Sequence, residues 1–255
     1  MSKICIWCNK SDKETCFDKE AHTIPQSLGG KNICIEVCDI CNEYFGNRND
    51  YNFPIEIALK ETFNPTRFLI NYSSGEFGKG KTLPRFKSEI FDLNIAKREI
   101  IYKKRFRLDI NFQNNFVRLF KRGIYKVFIE EIQRQLCRGF DINFRDIKDF
   151  ARYDIGDFPV FYWRFKRGAI FVTPKEITDP KFYFVETQLK MIDEIGFYEF
   201  RLFGHFFGIP LTKNYNTNFD QYFNRAMIYK NGFFTNLVMI KEINDIDIFL
   251  NRVNN

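Results

Sequence analysis

The sequence predicts an α+β protein in two parts. A small cysteine-bearing module covers residues 1–55, and a mixed domain with helices ahead of a mainly antiparallel sheet covers residues 56–255. Three observations carry this. Two Cys-x-x-Cys pairs, Cys5/Cys8 and Cys38/Cys41, stand 29 residues apart near the N-terminus. Apolar residues then recur at helical spacing from Phe112 to Leu136. Beyond residue 158, runs rich in aromatic and β-branched residues follow one another, as short strands do.

Taken in order, EAHTI and ICIEV read as short strands around the loop PQSLGGKN. CDICNEYFGN opens a helix, with Asp39 as a candidate cap. The polar stretch GNRNDYNFP places a boundary near Pro54. Residues 64–110 mix extended runs such as RFLINY with the glycine-containing turns of SSGEFGKGK and the basic run KREIIYKKRFRLD. Phe112, Phe116, Phe120, Val127, Phe128, Ile132 and Leu136 predict one helix of about two dozen residues, reaching Gly139. Gly123 lies inside it at a cost of ~1 kcal/mol. DINFRDIKDFARY predicts a shorter helix. FPVFYWRFKRGAIFVT reads as a hairpin turning at Arg167-Gly168, and KFYFVE, IGFYEFRLFGHFFG and MIYKNGFF as strands. IDIFLNRV reads as a closing helix.

Four thiolates at the spacing of Cys5, Cys8, Cys38 and Cys41 suit tetrahedral zinc, because two intervening residues let both sulfurs of a pair turn toward one ion. A segment of about 50 residues buries too little apolar surface to fold unaided, and a closed zinc site supplies the missing free energy. With four sulfurs bound, such an ion has no open position and is structural. Cys16 and Cys34 are spare, Cys34 with Cys38 makes a poorer alternative pair, and Cys137 is assigned to the core.

The opening MSKICIWCNK is too short and polar for a signal peptide, and no apolar run reaches the ~18 residues of a spanning helix. The expected compartment is therefore a reducing cytoplasm, where paired cysteines hold metal more often than they form disulfides. The net charge of +7 is uneven: residues 1–60 carry −2, residues 79–126 carry +10, and residues 127–255 balance. That surplus beside the cysteine module suits a polyanionic partner. Lys79, Lys81, Arg85, Lys103, Lys104 and Arg105 are the candidate phosphate contacts. The bland alternative is a solvated charged face.

Residues 20–32, EAHTIPQSLGGKN, hold one of only two histidines. Cys-x-x-Cys, then H-x-I-P-x-S-L-G-G-K-N, then V-C-x-x-C-N-x-x-F-G, resembles the HNH endonucleases of the ββα-metal class, zinc-knuckle subgroup, over roughly residues 4–50. The resemblance implies metal-assisted cleavage of DNA. His22 would be the general base for the attacking water. Asn32 would brace the hairpin and orient the imidazole, and Asn42 would help bind a divalent ion, Mg2+ or Mn2+, through its amide oxygen. The family usually carries a metal ligand immediately before the base, where this chain has Ala21. Glu20, on the same strand face as His22, is the nearest substitute, with Asp18 and Asp50 as further candidates. His205 is assigned to the core. The setting the resemblance implies is restriction, phage defence or a mobile element, with a second copy of the chain or a defence-system protein as the candidate partner. Two alternatives stay open: a degenerate HNH or zinc-finger protein that binds DNA without cutting it, and an effector nuclease activated by a partner.

Overall fold

The structure is a computed structural model that describes residues 2–47, 53–73, 85–166, 172, 174–230 and 232–250. Its elements are α1 (Asp39–Gly46), α2 (Ile55–Ser73), the hairpin β1 (Phe91–Asn94) and β2 (Glu99–Tyr102), and the one-turn α3 (Lys104–Arg107). Then come α4 (Ile110–Leu136), α5 (Arg145–Tyr153), β3 (Phe161–Phe165), α6 (Pro174–Thr178) and α7 (Glu186–Ile195). The chain continues through β4 (Phe197–Leu202), β5 (His205–Pro210), α8 (Tyr215–Lys230) and β6 (Phe234–Met239). The predicted α+β class holds.

The long helix α4 is the axis of the molecule. Asp109 caps it by accepting from the Phe112 N–H at 2.9 Å, and the apolar stripe that predicted it is buried at Phe116, Phe120, Val127, Phe128 and Ile132. Helix α2 lies across α4. Ile55, Ala58, Leu59, Phe63, Thr66 and Ile70 recur at helical spacing along α2 and are all buried. RFLINY is therefore the last third of a helix, not an extended run: its β-type composition yields to the apolar stripe that begins at Ile55.

The antiparallel sheet has the order β4-β5-β3-β6. Strand alternation divides its side chains between two layers. Tyr162, Tyr198, Phe200, Phe207 and Ile209 join the core around α2 and α4, whereas Phe161, Trp163, Phe165 and Phe197 pack with Tyr222 and Ala226 of α8. β4 and β5 form a hairpin through Phe203-Gly204, both at positive φ (50° and 82°), as a two-residue turn matching strand twist requires. β3 pairs with β5 and β6, and Arg167-Gly168 and most of the expected second arm lie outside the described residues. Two expected strands are not strands. Residues 181–185 are irregular and run into α7, and MIYK ends α8, so only Phe234 of MIYKNGFF enters β6. Residues 246–250 form turns rather than the closing helix.

His205 sits in the core, as expected, fully buried between α2 and the sheet. The Thr66 hydroxyl donates to the Ile248 carbonyl at 2.8 Å, so its oxygen accepts from His205 Nε2–H at 2.9 Å. Nδ1 then accepts from the Tyr162 hydroxyl at 3.2 Å. Burial pushes this imidazole down to about 3, so it is a neutral structural group. The boundary near Pro54 falls just before α2, and the hydrophobic core runs across it: Ile6, Ile24, Leu28 and Phe45 belong to the same cluster as α2 and α4.

Candidate active site and metal centre

The two cysteine pairs converge. In the first, the Cys5 N–H donates to Lys10 O and the Asn9 N–H to Cys5 O, both at 2.9 Å, and Asn9 takes the left-handed conformation (φ 59°) that closes the knuckle. The second pair opens α1, with Cys38 just before the helix and Cys41 in its first turn. A bond from the Ile6 N–H to Glu36 O at 2.8 Å fastens one knuckle to the other. All four Sγ atoms lie within 4.8 Å of one another, with Cys8 and Cys38 3.7 Å apart. Tetrahedral zinc with ~2.3 Å bonds sets its sulfurs about 3.8 Å apart, so the donor set and spacing fit structural zinc. Hydrogen bonding with Cys41, aided by the Cys38 N–H at 3.4 Å, holds the Cys5 thiol below the ordinary thiol range.

The remaining cysteines stand outside this cluster. Cys34 is buried beside Glu36, at 3.6 Å, and burial pushes its thiol up. Cys137 is exposed and caps α4 in the left-handed conformation (φ 56°), which corrects its assignment to the core. Cys16 is exposed, within 4.8 Å of Asp18 and Asp39.

Between the knuckles runs a minimal hairpin. His22 and Ile33 form one antiparallel bridge, flanked by Thr23 N–H to Asn32 O and Cys34 N–H to Ala21 O, both at 2.9 Å. The strands expected over EAHTI and ICIEV shrink to this contact. Its loop depends on both glycines: a Cβ on Gly30 would lie 1.8 Å from the Ile24 carbonyl oxygen, and Gly29 (φ 89°) abuts the Thr178 carbonyl of α6.

Helix α1 grips the hairpin at two points one turn apart. Asp39 Oδ1 accepts from the N–H groups of Asp18 and Lys19, both at 2.9 Å, so it ties down that strand instead of capping its own helix. Asn42 Nδ2 donates to Glu20 O at 3.3 Å. Asn42 thus reaches the segment carrying His22, two residues further on. His22 is half-buried, and its imidazole has no hydrogen-bond partner among the described residues. The Glu20 side chain is exposed, Ala21 is buried, Asp18 turns toward Cys16 and Asp39, and Asp50 lies outside the described residues.

Beneath the hairpin, α4 presents buried charges that the sequence reading missed. Lys126 Nζ donates to His22 O (2.5 Å) and Thr23 O (3.3 Å) and pairs with Glu56 (2.9 Å) and Glu130 (3.0 Å). Glu130 also accepts from Trp7 Nε1 at 3.1 Å, and burial pushes its carboxyl up to about 8. Glu131 accepts from the Thr23 hydroxyl and, at 3.1 Å, from Asn32 Nδ2. The side chain of Asn32 is therefore directed to α4. A signal for this was present: IYKVFIEEI is apolar on every side of the helix, which means burial all round, charges included.

The described basic candidates lie elsewhere. Lys79 and Lys81 are outside the described residues, while Arg85 and Lys104 are exposed. Lys103 donates to Ser88 O, and Arg105 donates to Glu89 O at 3.0 Å. Lys103–Arg105 lie at α3, just ahead of α4, whose first residue Ile110 is about 24 Å along the helix from Lys126 at 1.5 Å per residue.

Two cysteine knuckles, a histidine-bearing hairpin and a helix that returns an asparagine to it make up the N-terminal module. Residues 5–55, about a fifth of the chain, match the HNH endonuclease family, and the four-cysteine cluster fits a zinc-knuckle variant of it. No curated protein and no solved structure matches the chain. Among the described residues, no helix is long and apolar enough to cross a membrane.

Proposed function

We propose that the protein is a divalent-metal-dependent DNA endonuclease whose base is His22. One observation supports it best. The amide nitrogen of Asn42 is committed to the Glu20 carbonyl, which leaves its oxygen for a cation beside the strand that carries His22. In this reading the zinc knuckles hold α1 against the hairpin and take no part in the chemistry. The His22 imidazole takes the proton from the water that attacks phosphorus. Asn32 fixes the returning strand through its backbone carbonyl and its link to α4. Asn42, with Glu20 as a second oxygen donor, would hold Mg2+ or Mn2+, which suits hard oxygen ligands. Bound there, the ion supplies positive charge to the phosphate and the departing 3′ oxygen. Lys103, Lys104 and Arg105, with Lys79, Lys81 and Arg85, contribute sequence-independent affinity for the DNA backbone. The setting is restriction, phage defence or a mobile element.

The test is cleavage of supercoiled plasmid in Mg2+ or Mn2+. His22→Ala lowers the rate by about 10²–10⁴-fold, the range of a lost general base. A fully active His22→Ala protein rules out the assignment. Ala21 favours one rival: with a buried methyl where the family usually has a ligand, the module would bind DNA without cutting it. Salt-sensitive binding with no cleavage in either metal identifies that case.

A further inference from the structure

We infer that Lys126 and Glu131 of α4 are positioning residues for the His22–Asn32 pair, so that the centre is completed by a helix outside the matched residues 5–55. This rests on His22 as the base and says what aims it. The hairpin is too slight to hold itself: it has one bridge, and isolated two-stranded hairpins are marginal in water. Helix α1 grips residues 18–20 through Asp39 and Asn42, but these contacts stop short of His22. With no hydrogen bond of its own among the described residues, the imidazole takes its direction from the backbone at residues 22 and 23.

That backbone is held from α4. The Lys126 ammonium donates to the carbonyls of both His22 and Thr23. Glu131 takes the Thr23 hydroxyl on one strand and the Asn32 amide on the other, bridging the hairpin from below. Its second oxygen accepts from Arg134 and Gln135, both at 2.7 Å, which fixes the carboxylate in turn. Lys126 and Glu131 are 1% and 0% exposed. Buried ion pairs contribute little net stability over apolar residues of similar size. What these charges do contribute is direction, from a rigid helix to four hydrogen-bonding groups on the two strands of the hairpin. Misplacing a reacting group by about 1 Å costs ~10²-fold in rate.

The test uses the full chain and its two histidines. Lys126→Met is combined with Glu130→Gln, so that of the two carboxylate partners only the partly exposed Glu56 is left facing a lost cation. Glu131→Gln, similar in size, is made separately and carries the test if the double variant does not fold. In each zinc-loaded variant the His22 ring resonance is expected to shift or broaden while that of the buried His205 stays in place. Amide exchange at Thr23 and Cys34 is expected to quicken at least ~10-fold, and kcat for plasmid cleavage to fall about 10²-fold with KM unchanged. An unmoved His22 resonance with unchanged exchange at both amides overturns the inference. The resonance and exchange readouts need no nuclease activity, so they decide the point even if the wild-type protein cuts nothing.

Discussion

Gly123 supplies a sharp test of how α2 and α4 fit together. By helix propensity alone, Gly123→Ala should stabilise α4 by ~1 kcal/mol. The structure predicts the reverse. A Cβ at this position would lie 2.5 Å from Leu59 Cγ, 2.8 Å from Cδ1 and 3.0 Å from Cδ2. Carbon atoms pack best at about 3.5–4.0 Å, so α2 must retreat by about 1 Å or Leu59 must leave a site where it is 1% exposed. Overpacking of this kind costs about 1–3 kcal/mol, which outweighs the propensity gain and leaves a net loss of about 1 kcal/mol. Urea unfolding of the single variants and of Gly123→Ala/Leu59→Ala measures it. The pair should cost clearly less than the sum of its parts, because shortening Leu59 vacates the space the methyl needs. Lys126 follows Gly123 by one turn, so plasmid cleavage should also fall in the single glycine variant. A rise of ~1 kcal/mol on Gly123→Ala, as at an exposed helix position, would refute the close packing.

Cys41→Ser removes one of the four sulfurs. Bound zinc, measured by elemental analysis, should drop from one ion per chain to well below that, and residues 2–47 should lose amide protection before the sheet does. Full zinc retention would show that the cluster is not the metal site. Glu130 carries a pH signature. Its folded carboxyl sits at about 8, above the ordinary 4.5, so the native state keeps a proton that the unfolded chain releases. That stabilisation is complete below about pH 4.5 and disappears as pH rises through about 8. From pH 6 to 9 the wild type should therefore lose about 3 kcal/mol relative to Glu130→Gln, read as a difference in urea midpoints. Identical pH dependence in both proteins would contradict the buried position of that carboxyl.

Periodicity made α4 legible, since Phe116, Phe120, Val127 and Phe128 all lie on its buried face. The same signal ran through α2 from Ile55 to Ile70, but the β-type residues of RFLINY drew attention away from it, as a local window always can. KFYFVE failed for a related reason: Phe182 and Phe184 fill gaps beside the sheet rather than positions within it, stacked on Phe200 and Tyr198, whereas MIYK of MIYKNGFF ends α8 with Tyr229 exposed. At the candidate site, the cysteine spacing located the knuckles, whose four sulfurs converge, while the HxIPxSLGGKN and VCxxCN motifs singled out His22, Asn32 and Asn42 as candidates. Lys126 and Glu131 escaped notice because they act at sequence separations of 104 and 99 residues. A charged residue on a helix is ordinarily read as solvated. Only the apolar surroundings of IYKVFIEEI mark these as exceptions.

The 104 residues between His22 and Lys126 also set an order of events on the ribosome. At 5–20 residues per second, the N-terminal segment waits about 5–20 s for its brace to be synthesised. During that interval metal capture alone can organise the nascent knuckles. A hairpin braced in this way stays unfinished until α4 has been translated as well.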